Sequence, residues 1–227
     1  MIYISPSILA ADMTKLGEEV AKVESAGVSH LHIDIMDGNF VPNISFGPGI
    51  VSTLRPISKL LFDVHLMITA PWRYIDTFIK AGADSITVHY EAFGGDEELL
   101  LDVLKSMKEK KCGVGLAISP KTSYECILPY LSLLDMVLVM TVEPGYGGQA
   151  LIPETIDKIA PIRRAANAAG LNLRIEVDGG INEDTVWRAS AAGADVFVAG
   201  SAIFRSQRPK NVVTALKTKI KEHPFIG

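Results

Sequence analysis

Four joins of one kind recur along the chain. Ser25-Ala26-Gly27-Val28 leads to Leu31-His32-Ile33-Asp34, and Lys80-Ala81-Gly82-Ala83-Asp84 to Ser85-Ile86-Thr87-Val88. Ala168-Ala169-Gly170 leads to Leu173-Arg174-Ile175-Glu176-Val177, and Ala192-Gly193-Ala194-Asp195 to Val196-Phe197-Val198-Ala199. In each, a glycine follows a helix-like stretch and comes just before a β-branched run. Glycine can take the left-handed conformation that closes a helix, so each join reads as helix stop, then strand. Short apolar runs at 2–9, 31–36, 60–67, 85–88, 113–118, 136–142, 173–177 and 196–199 predict eight strands. Stretches such as 14–25, 96–110, 154–169 and 209–222 predict helices between them, while 50–54, after the second strand, is barely long enough for one. Alternating strands and helices imply parallel strands with helical crossovers. Eight such units in 227 residues predict an α/β fold, one (β/α)8 TIM barrel domain over residues 1–227. The rival, an open doubly wound sheet, would carry a glycine-rich turn after its first strand. Here that strand runs into Ser7-Ile8-Leu9-Ala10-Ala11-Asp12, with no glycine.

Composition narrows the partners. The formal net charge of −4 argues against a basic nucleic-acid surface, so no nucleic-acid partner is expected, and any anionic substrate must be held by local groups. The two cysteines, Cys112 and Cys126, form neither a metal-ligand spacing nor a disulfide framework, which fits a reducing compartment. No basic segment with a long apolar run opens the sequence, and no apolar run reaches about 18 residues. The expectation is a cytoplasmic chain without a membrane partner.

Barrel enzymes place their chemistry at the C-terminal ends of the strands. Side chains alternate along a strand, so His32, Asp34 and Met36 share one face of the second strand and Ile33 and Ile35 the other. The helix-covered outer face favours isoleucine, which turns the polar set inward. Asp63, His65 and Met67 repeat the pattern on the third strand, and Glu176 and Asp178 on the seventh. Buried carboxylates must be paired, hydrogen-bonded or bound to a metal. With no Lys or Arg alternating among them, His32, Asp34, His65 and Asp178 read as a site for one divalent metal ion per chain. Mixed His and Asp donors suit Zn2+, Fe2+, Mn2+ or Co2+. Asp63 and Glu176 read as supporting groups beneath that site. Met36, Met67 and Met140 read as an apolar cap over the substrate.

Glycine-rich loops suggest where a phosphate would sit. Gly179-Gly180 follows the seventh strand and Gly200-Ser201 the eighth, the positions where such barrels often bind phosphate through backbone N–H groups. The loop Glu143-Pro144-Gly145-Tyr146-Gly147-Gly148-Gln149 reads as a lid over a phosphorylated substrate.

These segments resemble the ribulose-phosphate 3-epimerase family across almost the whole chain. The resemblance is carried by Ser5-Pro6-Ser7-Ile8-Leu9-Ala10-Ala11-Asp12, by the run from His32 through Asp37-Gly38-Asn39-Phe40-Val41-Pro42-Asn43, and by Asp63-Val64-His65-Leu66-Met67. It continues in the run from Met140 through Gln149, in Val177-Asp178-Gly179-Gly180-Ile181 and in Ala199-Gly200-Ser201-Ala202-Ile203-Phe204. It implies a barrel of the ribulose-phosphate-binding type and one metal on His32, Asp34, His65 and Asp178. It implies that Asp34 and Asp178 are the acid and base, and that Ser7 contacts substrate; His65 is expected at the substrate as well. It places phosphate on Gly179, Gly180, Gly200 and Ser201, with the loop Gly145, Tyr146, Gly147 and Gly148 closing over a phosphorylated ketose. The family more often has Phe where Tyr146 stands. The stretch from Tyr90 to Asp96 receives no role. Family members form homo-oligomers, and the same is expected here.

The implied chemistry is interconversion of D-ribulose 5-phosphate and D-xylulose 5-phosphate, a step of the pentose phosphate pathway. A proton leaves one face of C3 and another arrives on the opposite face, through a metal-stabilised enediolate. The nearest rival is a 3-epimerase of a hexulose 6-phosphate such as allulose 6-phosphate. A decarboxylase or aldolase would want a lysine among the inward strand ends, and none is found. A non-catalytic sugar-phosphate binder would have no use for two opposed acids.

Overall fold

The computed structural model describes residues 2–227. Its strands are β1 (Tyr3–Pro6), β2 (His30–Met36), β3 (Leu61–Met67), β4 (Ser85–His89), β5 (Gly113–Ile118), β6 (Met136–Met140), β7 (Arg174–Asp178) and β8 (Val196–Ala199). All neighbours pair in parallel, in the order β1-β8-β7-β6-β5-β4-β3-β2. The ends of that order meet at a bridge between Ser7 and His32, which leaves a nearly closed (β/α)8 barrel.

The crossovers are α1 (Leu16–Ser25), α2 (Pro48–Leu54), α3 (Ile75–Ala81), α4 (Glu97–Glu109), α5 (Ile159–Ala168) and α6 (Val186–Ala192). The short α7 (Ser201–Phe204) and the longer α8 (Pro209–Glu222) follow β8. The expected joins form as read: Gly27, Gly82, Gly170 and Gly193 take φ of 82°, 111°, 66° and 110°. At Gly82 space adds to the demand, because a Cβ there would lie 2.6 Å from two methylene carbons of Arg55.

Several boundaries differ from expectation. The first strand stops at Pro6 because Ser7 caps a 3-10 turn, Ile8–Ala10, its hydroxyl accepting from the Leu9 N–H. α2 is a true helix, begun by Pro48, whose missing N–H costs nothing in a first turn. The predicted helix 154–169 splits into a 3-10 segment, Pro153–Lys158, and α5. The β5–β6 crossover is a 3-10 run, Tyr124–Leu133, with Pro129 inside, where a regular α-helix would need an N–H. β4 runs one residue past the predicted end, to His89.

The main core lies between the strands and the surrounding helices. Ile33, Ile35, Val64, Leu66, Ile86, Val88, Ile175, Val177 and Phe197 are all buried in it. A second, smaller cluster of Ala117, Leu138, Met140 and Val142 fills part of the barrel itself. The polar inner residues therefore stand on strands that are anchored from behind by close-packed apolar side chains.

Phe197 is fully buried on the helix-facing side of β8, away from the polar interior. Phe197→Ala should lower unfolding stability by about 3–5 kcal/mol, read as a shifted urea midpoint at unchanged slope. A loss below about 1 kcal/mol would show that helices and barrel are not packed through this side chain.

Candidate active site

β2 and β3 pair in register, so His32 stands beside Asp63, Asp34 beside His65 and Met36 beside Met67. Imidazole and carboxylate thus alternate over the inner surface of two neighbouring strands. Asp178, at the end of β7, reaches the same point from the far side of the barrel. His32 Nε2 lies 3.3 Å from Asp34 Oδ1 and 3.6 Å from Asp178 Oδ2. His65 Nδ1 lies 3.2 Å from Asp34 Oδ1 and 3.7 Å from Asp178 Oδ2. The two ring nitrogens are 3.4 Å apart. One donor atom from each of the four residues lies within 4.8 Å of all the others.

The groups around this cluster orient it. Ser7 donates its hydroxyl to Asp34 Oδ2 at 2.6 Å, leaving Oδ1 for the two imidazoles. His32 Nδ1 meets Asp63 Oδ2 at 2.8 Å, so an ionised Asp63 fixes the His32 proton there and frees Nε2 for the cluster. Glu176 lies deeper, its carboxyl oxygens fully buried and without a donor. Burial and the Asp63 charge push its pKa well above the carboxylate range, so it keeps a proton that it can share with Asp63.

The two opposed aspartates differ in charge. Burial resists ionisation of Asp34, but the His32 charge and hydrogen bonds from His32 and His65 outweigh it and hold its pKa far below the usual range. Burial and the Asp34 charge push Asp178 up to about 7. Burial also opposes a proton on His32, yet the Asp34 and Asp63 charges raise its pKa well above that of free imidazole. These shifts describe buried anions in need of a cation. Two imidazole nitrogens and two carboxylate oxygens facing one point fit a divalent ion.

Above the cluster opens a cavity of about 570 Å³. Asp34 and Asp178 line it, with Ser7, Met36, Met67 and Met140. Gly145, Tyr146, Gly147 and Gly148 line it from one loop, and Gly179, Gly180, Gly200 and Ser201 from two others. His65, also expected at the substrate, is fully buried behind the cluster and does not reach the cavity wall. Among the described residues, the backbone N–H groups of Gly180, Gly200 and Ser201 donate to no protein acceptor. Gly180 sits at φ 67°, and a Cβ there would fall 2.3 Å from the Leu151 backbone nitrogen, so only glycine fits this turn.

Sequence reasoning missed other residues. Arg205 is the one cationic side chain lining the cavity among the described residues, and Asn43 and Asn182 also line it. His89 is buried against His65, with the two Nε2 atoms 2.8 Å apart, and its Nδ1 lies 3.2 Å from Glu91 Oε2. The signal for His89 was present: Ser85, Thr87 and His89 continue the inward alternation of β4, but the predicted strand ended at Val88.

The sequence pattern of the ribulose-phosphate 3 epimerase family matches residues 3–204. A ribulose-phosphate 3-epimerase of Synechocystis is 40% identical over 226 residues, covering 100% of this chain and 97% of its own. That of Bacillus subtilis is 44% identical over 218 residues, covering 96% and 99%.

The chain belongs to the ribulose-phosphate 3 epimerase family.

It is an enzyme of that family, and its barrel is shared more widely. The 3-keto-L-gulonate-6-phosphate decarboxylase of Vibrio cholerae superposes with a TM-score of 0.70 over 98% of both chains at 17% identity, a likeness of fold. The hydroxyl of Tyr146 makes a contact that its ring alone could not. The Tyr146 hydroxyl donates to the Pro42 carbonyl at 2.6 Å, a bond that Phe would lack. Asn43 Nδ2 donates to the Gly145 carbonyl at 2.8 Å, so two bonds tie the glycine loop to the β2–α2 loop.

In protein stripped of divalent ions, Asp178 gives a signed pH effect. Burial and the Asp34 charge push its pKa up to about 7 in the folded chain, against about 3.9 for an ordinary aspartate. Between these values the folded state holds a proton that the unfolded state has released, so stability falls as pH rises through that window. Asn mimics the protonated acid. Wild type and Asp178→Asn should therefore melt alike near pH 4, with wild type falling progressively below the variant up to pH 7. A wild-type advantage that grows with pH would reverse the assignment.

Proposed function

We propose that the chain interconverts D-ribulose 5-phosphate and D-xylulose 5-phosphate by moving a proton at C3, with one divalent ion held by His32, Asp34, His65 and Asp178. The observation that carries this reading is the pair Asp34 and Asp178. They are two carboxyls at one cavity floor, one held ionised and the other pushed up to about 7. Carboxyls whose pKa values are driven apart suit paired acid and base work. Proton exchange between opposite faces of one carbon needs such a pair. The names of the Synechocystis and Bacillus subtilis relatives point to the same substrate.

Asp34 acts as base on the ribulose side, with the Ser7 hydroxyl holding its second oxygen in place. Asp178 then delivers a proton to the opposite face of C3. A divalent ion at this donor set would stabilise negative charge developing on the ketose oxygens. Met36, Met67 and Met140 exclude water from the reacting carbon and leave the carboxyls as proton carriers. The unpaired N–H groups of Gly180, Gly200 and Ser201 receive the phosphate, and Arg205 adds positive charge at the same wall. The loop from Gly145 to Gly148 closes over the sugar, held by its bonds to Pro42 and Asn43.

Treatment with a strong chelator should abolish epimerisation, and adding back Zn2+, Mn2+, Fe2+ or Co2+ should restore it. His65→Ala should lower bound metal by elemental analysis. Full activity in protein shown to be metal-free would sink the metal assignment.

Solvent exchange in heavy water separates the two acids. Asn is the right probe, because its carbonyl oxygen can still face a metal while its amide cannot serve as acid or base. Asp178→Asn should wash deuterium into C3 of D-ribulose 5-phosphate, because Asp34 removes the proton and returns a deuteron to the same face. It should form almost no xylulose 5-phosphate. Asp34→Asn should do neither with that substrate. Metal content is measured in both. If the metal-replete Asp34 variant exchanges C3 and the Asp178 variant does not, the roles are reversed; wild-type rates in both would end the two-carboxylate mechanism.

A further inference from the structure

His89, the last residue of β4, is fully buried and takes no part in the donor cluster. Its Nε2 lies 2.8 Å from His65 Nε2. The ring centroids are 4.9 Å apart with planes within 20° of each other. Face-stacked rings would not bring two nitrogens this close, so the imidazoles meet edge to edge in a nearly common plane. A contact of that length holds one proton between the two nitrogens. Which ring owns it decides whether His65 can serve a cation.

Glu91 makes that decision. Its Oε2 faces His89 Nδ1 at 3.2 Å. Its Oε1 accepts from the Ser119 N–H at 2.7 Å and from the Thr122 hydroxyl, so the carboxylate cannot turn. That segment is fixed in turn by Lys158, whose ammonium donates to the carbonyls of Ser119, Pro120 and Thr122 at 2.9, 2.6 and 2.7 Å. A carboxylate oxygen can only accept. The His89 proton therefore sits on Nδ1, and its Nε2 presents a lone pair to His65. In the metal-free chain Asp34 Oδ1, 3.2 Å from His65 Nδ1, competes for the His65 proton. With a cation between those two atoms the competition ends: the shared proton belongs to His65 Nε2, and Nδ1 turns its lone pair to the donor cluster. The opposite tautomer would put a proton on Nδ1, where a cation would need the lone pair.

We propose that Glu91 and His89 are positioning residues that set the tautomer of His65 and so make it a metal ligand through Nδ1. The proposal rests on the metal reading of His32, Asp34, His65 and Asp178 given above. It gives the stretch after β4 a task that the sequence did not suggest. It also mirrors the role of Asp63, which fixes the His32 proton on the ring nitrogen away from the cluster.

Glu91→Gln is the discriminating variant, because it keeps the shape and reverses the polarity. The amide oxygen must stay toward Ser119 N–H and Thr122, which leaves the NH2 group facing His89 Nδ1. That donor forces the His89 proton to Nε2 and the His65 proton to Nδ1. Zn2+ affinity, measured by competition with a chromophoric chelator, should fall about 10–100-fold in Glu91→Gln. It should fall less in Glu91→Ala, where no donor opposes the native tautomer. A merely structural role would give the reverse order, with the larger truncation costing more. Nitrogen-15 spectra of labelled histidines in the Zn2+-loaded wild type provide a readout independent of any variant's folding. They should show His89 protonated on Nδ1 and His65 on Nε2. Wild-type affinity in Glu91→Gln, a greater loss in Glu91→Ala, or a proton on His89 Nε2 overturns the relay and leaves the ligand set standing. Failure of the wild type to bind Zn2+ removes the ligand set and the relay together.

Discussion

The register between β2 and β3 governs the inside of this barrel. It sets His32 against Asp63 and Asp34 against His65, so each buried carboxylate has an imidazole at its side. Because side chains alternate, a slip of one residue would send the polar pair of the strand that moves to the helix-facing side, and turn Ile33 and Ile35, or Val64 and Leu66, inward. Neither surface could absorb that exchange. The apolar core holds the register from outside, and the imidazole–carboxylate contacts hold it from within. Specificity of pairing and chemistry of the site are thus two consequences of one alternation.

The charges within that frame form two levels. Asp63 and Glu176 lie below, where a retained proton on Glu176 relieves what would be two buried anions. Asp34 and Asp178 lie above, at the cavity floor, where burial and then their repulsion raise the pKa of Asp178. The lower pair can settle its repulsion with a proton because nothing there has to react. Settled the same way, the upper pair would present one protonated acid at the cavity floor. A divalent ion at this donor set would relieve the repulsion without a retained proton, and imidazoles beside the acids suit such an ion.

Legibility in the sequence followed how far each feature depends on local pattern. The barrel was readable because the helix-stop glycines and β-branched runs are local and periodic. His32, Asp34, His65 and Asp178 were readable because alternation fixes their face and strand ends fix their height. His89 was missed by one residue of strand boundary, and Glu91 because a 3-10 turn after β4 carries it toward Ser119 and Thr122. Contacts between β4 and the loop after β5 leave no periodic trace. Pro129 explains the irregular crossover before β6, where one missing N–H replaced a regular α-helix by a 3-10 run.

The barrel alone does not choose the reaction. The decarboxylase of Vibrio cholerae shares it. In this chain the chemistry-bearing groups stand at the strand ends. None of its eight strands carries a lysine, and Asp34 and Asp178 meet from β2 and β7 with histidines between them. Groups that move protons need fixed distances, and strands packed from behind supply them. Groups that admit and enclose a substrate need freedom, and glycine loops supply that. The bonds from Asn43 and Tyr146 join the two regimes, because both run between the loop after β2 and the loop after β6. Any movement of the loop after β6 therefore engages the segment that continues from Asp34, so the mouth of the cavity and the placement of that carboxylate are mechanically linked.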